Sequence, residues 1–236
     1  MSVTTTGPDP EDLTARARIR DAAMQHFAEH GFERATIRGI AETAGVSSGL
    51  VRHHFGSKQA LREACDAYLT KMIRRLNDEV RSGYALDRSN PVATANTAMG
   101  PYQRYLARAL AEGSAEVVFD EMVELSEQWL ADADARRPDV PDVDRKVRAT
   151  IGTAMALAIA VLRKHVSRGM GVDLSTPEGD LLLARALIDL YSHPMLSLEE
   201  AAEARAALDR LQPERTTTER GAPQKTLRQH EEHHHD

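Results

Sequence analysis

Two serines, a glycine, an arginine and two histidines fall within eight consecutive residues, as Ser47, Ser48, Gly49, Arg52, His53 and His54, with Lys58 just beyond. Hydroxyl, imidazole, guanidinium and ammonium groups all donate hydrogen bonds, and the last two carry positive charge. Such a set suits contact with phosphate oxygens and with base edges. Gly49 keeps the surface open to close approach. No carboxylate interrupts the run from Thr43 to Gln59, where one would be repelled by nucleic acid.

Two short helices are needed to present these groups. Thr36 is placed to cap the first, its hydroxyl accepting from a backbone N–H of the opening turn. Ile37, Ile40 and Ala41 share one helical face. Gly45 ends that helix, since the residue after a helix often needs a left-handed conformation. Val46 plugs the corner. Ser47 or Ser48 then caps a second helix through Val51 to Phe55. Two helices joined by a short, glycine-containing turn form a helix-turn-helix unit, whose second helix enters the DNA major groove. Ile40, Ala41, Val46 and Phe55 are assigned to the core.

Thr36 to Lys58 resembles the N-terminal DNA-binding domain of the TetR family of transcriptional regulators. The residues that carry the resemblance are Val46-Ser47-Ser48-Gly49, His54-Phe55 and Ser57-Lys58, within a match of roughly Arg16 to Leu61, about a fifth of the chain. The resemblance implies DNA contacts from Thr36, Arg38, Ser47, Ser48, Gly49, Leu50, Arg52, His53, His54 and Lys58. The chain departs from the family where Thr-Leu-Tyr is common and Leu50-Val51-Arg52 stands instead. Two readings of Arg52 follow: it replaces the tyrosine's phosphate contact, or it reads a guanine. Ser47 likewise divides between helix cap and phosphate donor.

The chain has 236 residues and a net charge of −6, unpromising at first for a DNA binder. The charge is unevenly spread. From Thr14 to Lys58, Arg16, Arg18, Arg20, Arg34, Arg38, Arg52 and Lys58 face Asp21, Glu29, Glu33 and Glu42, an excess of three positive charges. A basic head on an acidic body offers one face to phosphate. Hydrophobic residues make up 42% and aromatics only 4%, so aliphatic side chains must fill an interior that alanine abundance tips toward helix. A single cysteine, Cys65, excludes an intrachain disulfide and points to a reducing cytoplasm. No signal segment or membrane span is expected.

The fold class expected is all-α: an N-terminal three-helix helix-turn-helix DNA-binding domain over 13–60, then a C-terminal helical bundle for ligand binding and dimerisation over 61–211. Tails at 1–12 and 212–236 are expected to be disordered. The first helix runs from about Leu13 to His30, with Ile19, Ala22, Ala23, His26 and Phe27 inward and Gly31 as its stop. Arg16, Arg18 and Arg20 divide evenly between phosphate contact and a solvated face. A long helix from Ser57 carries Leu61, Ala64, Cys65, Tyr68, Leu69, Met72, Ile73 and Leu76, a strut from head to body in which Cys65 is a buried structural thiol. Ser82 to Pro91 is the clearest break. Further helices are expected over 91–99, 101–112, 114–136 (inner face Val118, Met122, Leu125 and Trp129), 143–168, 177–191 and 198–211.

The helices over 143–168 and 177–191 are apolar on several sides and need a partner, most simply a second copy. A homodimer through them would place two heads on a pseudo-palindromic operator. The resemblance also implies a small-molecule pocket in the bundle, for which Tyr102, Tyr105, Phe119, Met122, Trp129 and His165 are the candidate lining residues. Ordinary packing is the competing reading for each. No glycine-rich phosphate loop, HExxH or Gly-x-Ser-x-Gly is present. His53 and His54 are adjacent, so they point about 100° apart on a helix and chelate poorly together. The His-rich end, His230 to Asp236, reads as a flexible tail ahead of a metal site. The expectation is therefore a cytoplasmic, ligand-responsive repressor that needs no cofactor or metal and catalyses nothing. A helix-turn-helix regulator whose body binds a protein partner is the alternative.

Overall fold

A computed structural model describes residues 14–82, 99–193 and 195–211 of the chain. Every regular element among them is helical. The order is α1 Ala15–Arg34, α2 Ile37–Ala44, α3 Ser48–Phe55, α4 Lys58–Arg81, a 3₁₀ turn Gly100–Tyr102, α5 Gln103–Ala111, α6 Glu116–Asp134, α7 Arg145–Val161, α8 Arg163–Met170, α9 Pro177–Ser192 and α10 Leu198–Asp209. The fold class is all-α, as the sequence led one to expect. The tails at 1–12 and 212–236, and the segment 83–98 holding most of the expected break and short helix, lie outside the described residues.

Local chemistry sets the head. Thr14 caps α1 by accepting from the Ala17 N–H. α1 loses helical geometry at Gly31, at φ 78° and ψ 164°, then makes one further turn to Arg34. Thr36 caps α2 through the Gly39 N–H at 3.1 Å. At its end Gly45 takes the left-handed conformation, at φ 66° and ψ 39°. The Val46 N–H returns to the Ala41 carbonyl and the Gly45 N–H to that of Glu42, which satisfies the last carbonyls of α2. Ser47, rather than Ser48, caps α3 through the Leu50 N–H at 3.1 Å. Ser57 caps α4, whose 24 residues span about 36 Å.

One apolar core joins head and body. Ile19, Ala23 and Phe27 of α1, Ile40 and Ala41 of α2, and Val51 and Phe55 of α3 pack with Leu61, Cys65 and Leu69 of α4. Tyr105, Leu106 and Ala109 of α5, Val118 of α6 and Leu157 of α7 belong to the same cluster. Burial raises the Cys65 thiol well above its ordinary range, with Asp66 adding to the rise. Cys65 is thus an inert packing group.

The helix expected over 143–168 is two helices. They meet at Leu162 with a bend of 76°. No glycine or proline marks the break. Beyond it, Arg163 donates to Gln103 Oε1 at 2.7 Å, a partner 60 positions away that no local period could show. Trp129 also departs from the expected inner face of its helix. It is 44% exposed, and its indole N–H donates to Asn77 Oδ1 at 2.8 Å. No single helix among the described residues is long and apolar enough to cross a membrane, although α7 and α8 together pass on length and composition alone.

α7 has two apolar stripes on opposite sides. Ala149, Thr153 and Leu157 are buried, whereas Val147, Ile151 and Met155 are 51%, 57% and 63% exposed. The second stripe is offset from the first by two residues, or about 200° around the helix. Packing divides the chain after Leu187. In the second unit, α10 opens on a capping box between Ser197 and Glu200, and Leu198, Leu208 and Leu211 are exposed.

Candidate nucleic-acid interface

α3 is held from behind and open in front. Val51 and Phe55 are buried and fix its inner face. Gly49, Arg52, His53 and His54 are exposed, and Ser48 and Leu50 are half-buried. Among the described residues Arg52 has no ion pair or side-chain hydrogen bond. The Thr36 and Ser47 hydroxyls each accept from a capped N–H, which leaves the hydroxyl hydrogen available to an outside acceptor. Arg38 is exposed and pairs with Glu42 at 3.0 Å, one turn on. Such a surface pair contributes about 0–1 kcal/mol and opens readily for a better anion.

Lys58 sits differently. Its ammonium donates to the carbonyls of Phe32, Glu33 and Ala35 at 2.8, 3.1 and 3.2 Å. It also lies 4.5 Å from the centre of the Phe32 ring. All three of its donors are thereby spent on the turn that follows the Gly31 break. Lys58 ties the start of α4 to the end of α1, and no donor remains for DNA in this arrangement. The three arginines of α1 also separate. Arg16 and Arg18 are exposed. Arg20 is 7% exposed, bonds Asp21 at 3.0 Å and stacks 3.3 Å from the centre of the Tyr68 ring.

A polar joint behind the head carries residues not singled out from the sequence. Tyr105 donates to Asp66 Oδ1 at 2.5 Å. Arg62 faces the same carboxylate at 3.9 Å, donates to the Ser114 carbonyl, and lies 5.0 Å from the Phe32 ring centre. Burial pushes the Asp66 carboxyl up, while Tyr105 and Arg62 pull it down. Burial also raises the Tyr105 phenol, with Asp66 adding to the effect. An Arg and an Asp one turn apart, flanking Cys65 in an apolar stripe, were the available signal. Further along α4, Arg74 clasps the buried Glu121 of α6 at 2.7 and 2.6 Å, and Arg81 pairs with Asp132 at 2.8 Å. α4 is thus tied to the head at one end and to α6 along its length.

Among the cavities lined by described residues, none brings the six candidate pocket residues together. Tyr105 is in the core, at the back of a small hollow shared with Phe27, Phe32 and Arg108. Phe119 lines a separate open groove with Leu110, Ala115 and Asp120. Met122 packs against the core. Tyr102 meets the Tyr68 ring edge-on at 5.7 Å. Trp129 and His165 are exposed. Among the described residues no group of three or more His, Cys, Asp or Glu is placed to hold a metal ion.

Residues 19–65 match the family model described as bacterial regulatory proteins, tetR family. Over 146 residues, 60% of this chain and 68% of the relative, the sequence is 34% identical to an HTH-type transcriptional regulator of Mycobacterium bovis. The chain belongs to the TetR family. Within that family it is 38% identical over 146 residues to the HTH-type transcriptional regulatory protein RaaS of Mycobacterium tuberculosis, across 58% of this chain and 66% of RaaS. Its match to the repressor AcnR of Corynebacterium efficiens, at 46% identity, spans 31% of that relative. Among solved TetR-like structures, a gamma-butyrolactone receptor aligns with a TM-score of 0.50 and 26% identity, over 63% of this chain and 79% of the receptor. FadR from Bacillus halodurans aligns with a TM-score of 0.55 at 18% identity, over 77% and 94%, a likeness of fold.

Proposed function

We propose that this TetR-family chain is a homodimeric, sequence-specific DNA-binding transcriptional regulator: a cytoplasmic repressor that leaves a pseudo-palindromic operator when a small molecule binds. The observation that carries this reading is α3, which is anchored by Val51 and Phe55 and turns Ser48, Gly49, Arg52 and His53 outward with no carboxylate on the helix. The proposed DNA contacts are Thr36, Arg38, Ser47, Ser48, Gly49, Leu50, Arg52, His53 and His54. Lys58 is assigned to holding the head together. Residues 13–60 form the proposed DNA-binding domain and 61–211 the regulatory one. No catalysed reaction, cofactor or metal enters.

Support for the dimer is the exposed stripe Val147, Ile151 and Met155 on α7, together with the exposed Leu181 and Leu182 of α9. Support for ligand response is the likeness to a solved gamma-butyrolactone receptor. Transmission runs along α4, whose ties to α6 would pass a change in the body to the spacing of the two heads. Successive major grooves lie about 34–36 Å apart, so a modest change in spacing breaks the match. A coupling of about 1–3 kcal/mol changes affinity roughly 5–150-fold, enough for a switch.

A second reading, that the body binds a protein partner, is favoured by the apolar residues Leu198, Leu208 and Leu211 left exposed on and just after α10. Selection of bound sequences from a random DNA pool, followed by gel shifts on the selected site, tests the main reading. Replacing Arg52 and His54 together by glutamate should abolish the shift. An unaltered affinity would remove α3 from the interface. Thermal-shift screening with apolar metabolites separates the two bodies: a stabilising compound that also releases DNA supports the sensor.

A further inference from the structure

A groove where the head meets α4 lies away from the N-terminal tip of α3 and borders the candidate pocket residue Tyr102 through Tyr68. It runs between the start of α1, the last turn of α3 and the first half of α4, with a volume of about 480 Å³. Small-molecule sites commonly enclose about 300–1,000 Å³. Its apolar surface comes from Ala17, Phe55, Ala64 and Ala67, with the Tyr68 ring beside them. Arg16 and His54 are exposed at its edge, and no carboxylate lines it. The Arg16 guanidinium lies 5.4 Å from the Phe55 ring centre, so a cation and an aromatic surface are offered together. Arg20 forms part of the wall through its stacking on Tyr68 and its pairing with Asp21.

This combination selects chemistry. An apolar body gains by leaving water against Ala64, Ala67 and the Tyr68 ring, over a floor of Ala17 and Phe55. A negative charge gains from Arg16 at the rim through a charge-assisted hydrogen bond. A cation of the same size meets like charge, and a bare anion has nothing to bury. The geometry points to a second small-molecule site, where the DNA-binding head meets α4, for amphipathic monoanions such as aryl carboxylates. His54 and Phe55 end α3. A carboxylate held there adds negative charge beside the helix proposed to face phosphates, so ligand and DNA oppose each other. The opposition rests on the DNA reading, whereas the binding does not.

The test is heteronuclear NMR titration of the full-length protein with 2-naphthoate, with acetate and 2-naphthylmethylammonium as controls, repeated on R16E and A67F. Ala67 is exposed, so phenylalanine fills the groove without entering the core. Unchanged far-UV circular dichroism verifies that each variant is folded. The expected result is that 2-naphthoate shifts the amide signals around Phe55 and Ala64 and that neither control does. R16E and A67F should each weaken binding by about tenfold or more. Failure to bind at millimolar concentration, equal binding by both variants, or shifts confined to α5–α10 would overturn the site. So would seating of the chain's own N-terminal segment in the groove, or loss of operator binding on A67F with 2-naphthoate inert, which would give the groove to the DNA backbone.

Discussion

At the scale of single residues, two basic groups six positions apart have opposite fates. Lys58 is consumed by three backbone carbonyls, while Arg52 projects from α3. Replacing Lys58 by methionine should cost about 1–3 kcal/mol of stability in urea unfolding, for loss of a charged donor to part-buried and exposed carbonyls. It should leave the salt dependence of DNA binding unchanged. Replacing Arg52 by alanine should spare stability and flatten the plot of log affinity against log salt by about one unit, if Arg52 meets a phosphate. An equal salt slope for wild type and both variants would remove Arg52 from the phosphate contacts. Tyr105 gives a second prediction. Its hydroxyl is a donor to the buried Asp66 carboxylate. Burial raises Asp66 in the folded state, so its ionisation opposes folding: the protonated form is favoured, and stability from this group falls as pH rises through the folded value. Y105F removes a group that eases ionisation. Its cost should therefore be greatest near neutrality, about 1.5–3 kcal/mol, and shrink in acid, as denaturation at several pH values would reveal. A pH-independent cost would mean that the phenol matters only for packing.

At the scale of elements, the joint between α6 and α7 carries an electrostatic clasp where one helix ends and the other begins. Asp134 near the end of α6 accepts from Arg148 at 2.9 and 2.7 Å and from Arg145 at 3.2 Å. Hydrogen bonding from Arg148, reinforced by Arg145, holds its carboxyl at about 2, below an ordinary 3.8. A depressed carboxylate contributes stability above its ordinary value and loses it as pH falls through the folded one. The contribution should thus fade between pH 3.8 and about 2. D134N should narrow the stability difference between neutral and strongly acidic solution relative to wild type. An identical pH profile for both proteins would mean that the clasp is strengthless in solution. The other revealing element is the α7–α8 bend, which redirects the chain at a leucine. It lies beside the hydrogen bond from Arg163 to Gln103 of α5, and no glycine or proline stands at the break.

At the scale of the whole molecule, assembly is the decisive property. Ile151 stands in the middle of the exposed α7 stripe, at 57% exposure. Changing it to glutamate should leave the helical content of the monomer intact and convert a two-copy species to one copy in light scattering. Because two linked heads gain by effective concentration, operator affinity should fall by about a hundredfold to ten-thousandfold with no loss of any DNA contact. A dimer that survives I151E would place the partner elsewhere. Uneven charge belongs to the same scale: residues 14–58 carry an excess of three positive charges in a chain whose net charge is −6, a distribution that would favour approach to DNA through that segment.

What the sequence alone determined is what short-range rules govern. Caps at Thr36 and Ser57, a serine cap at 47 or 48, the left-handed turn at Gly45, and the buried faces of Ile40, Ala41 and Phe55 all depend on neighbours within a few positions. The all-α class and the helix-turn-helix unit were therefore legible. The apolar excess of α7 was legible too, because hydropathy counts every face. Only tertiary structure decided the rest. Lys58 read as a DNA contact from its place just beyond α3, and its carbonyl partners lie 23 to 26 positions away. Trp129 followed an inward period, yet Asn77 and Arg81 hold its ring at the surface. Tyr105 had the character of a pocket residue and became the buried partner of Asp66. In each case the side chain's fate was set by a group brought near through folding, and periodicity along one helix carries no information about which group that will be.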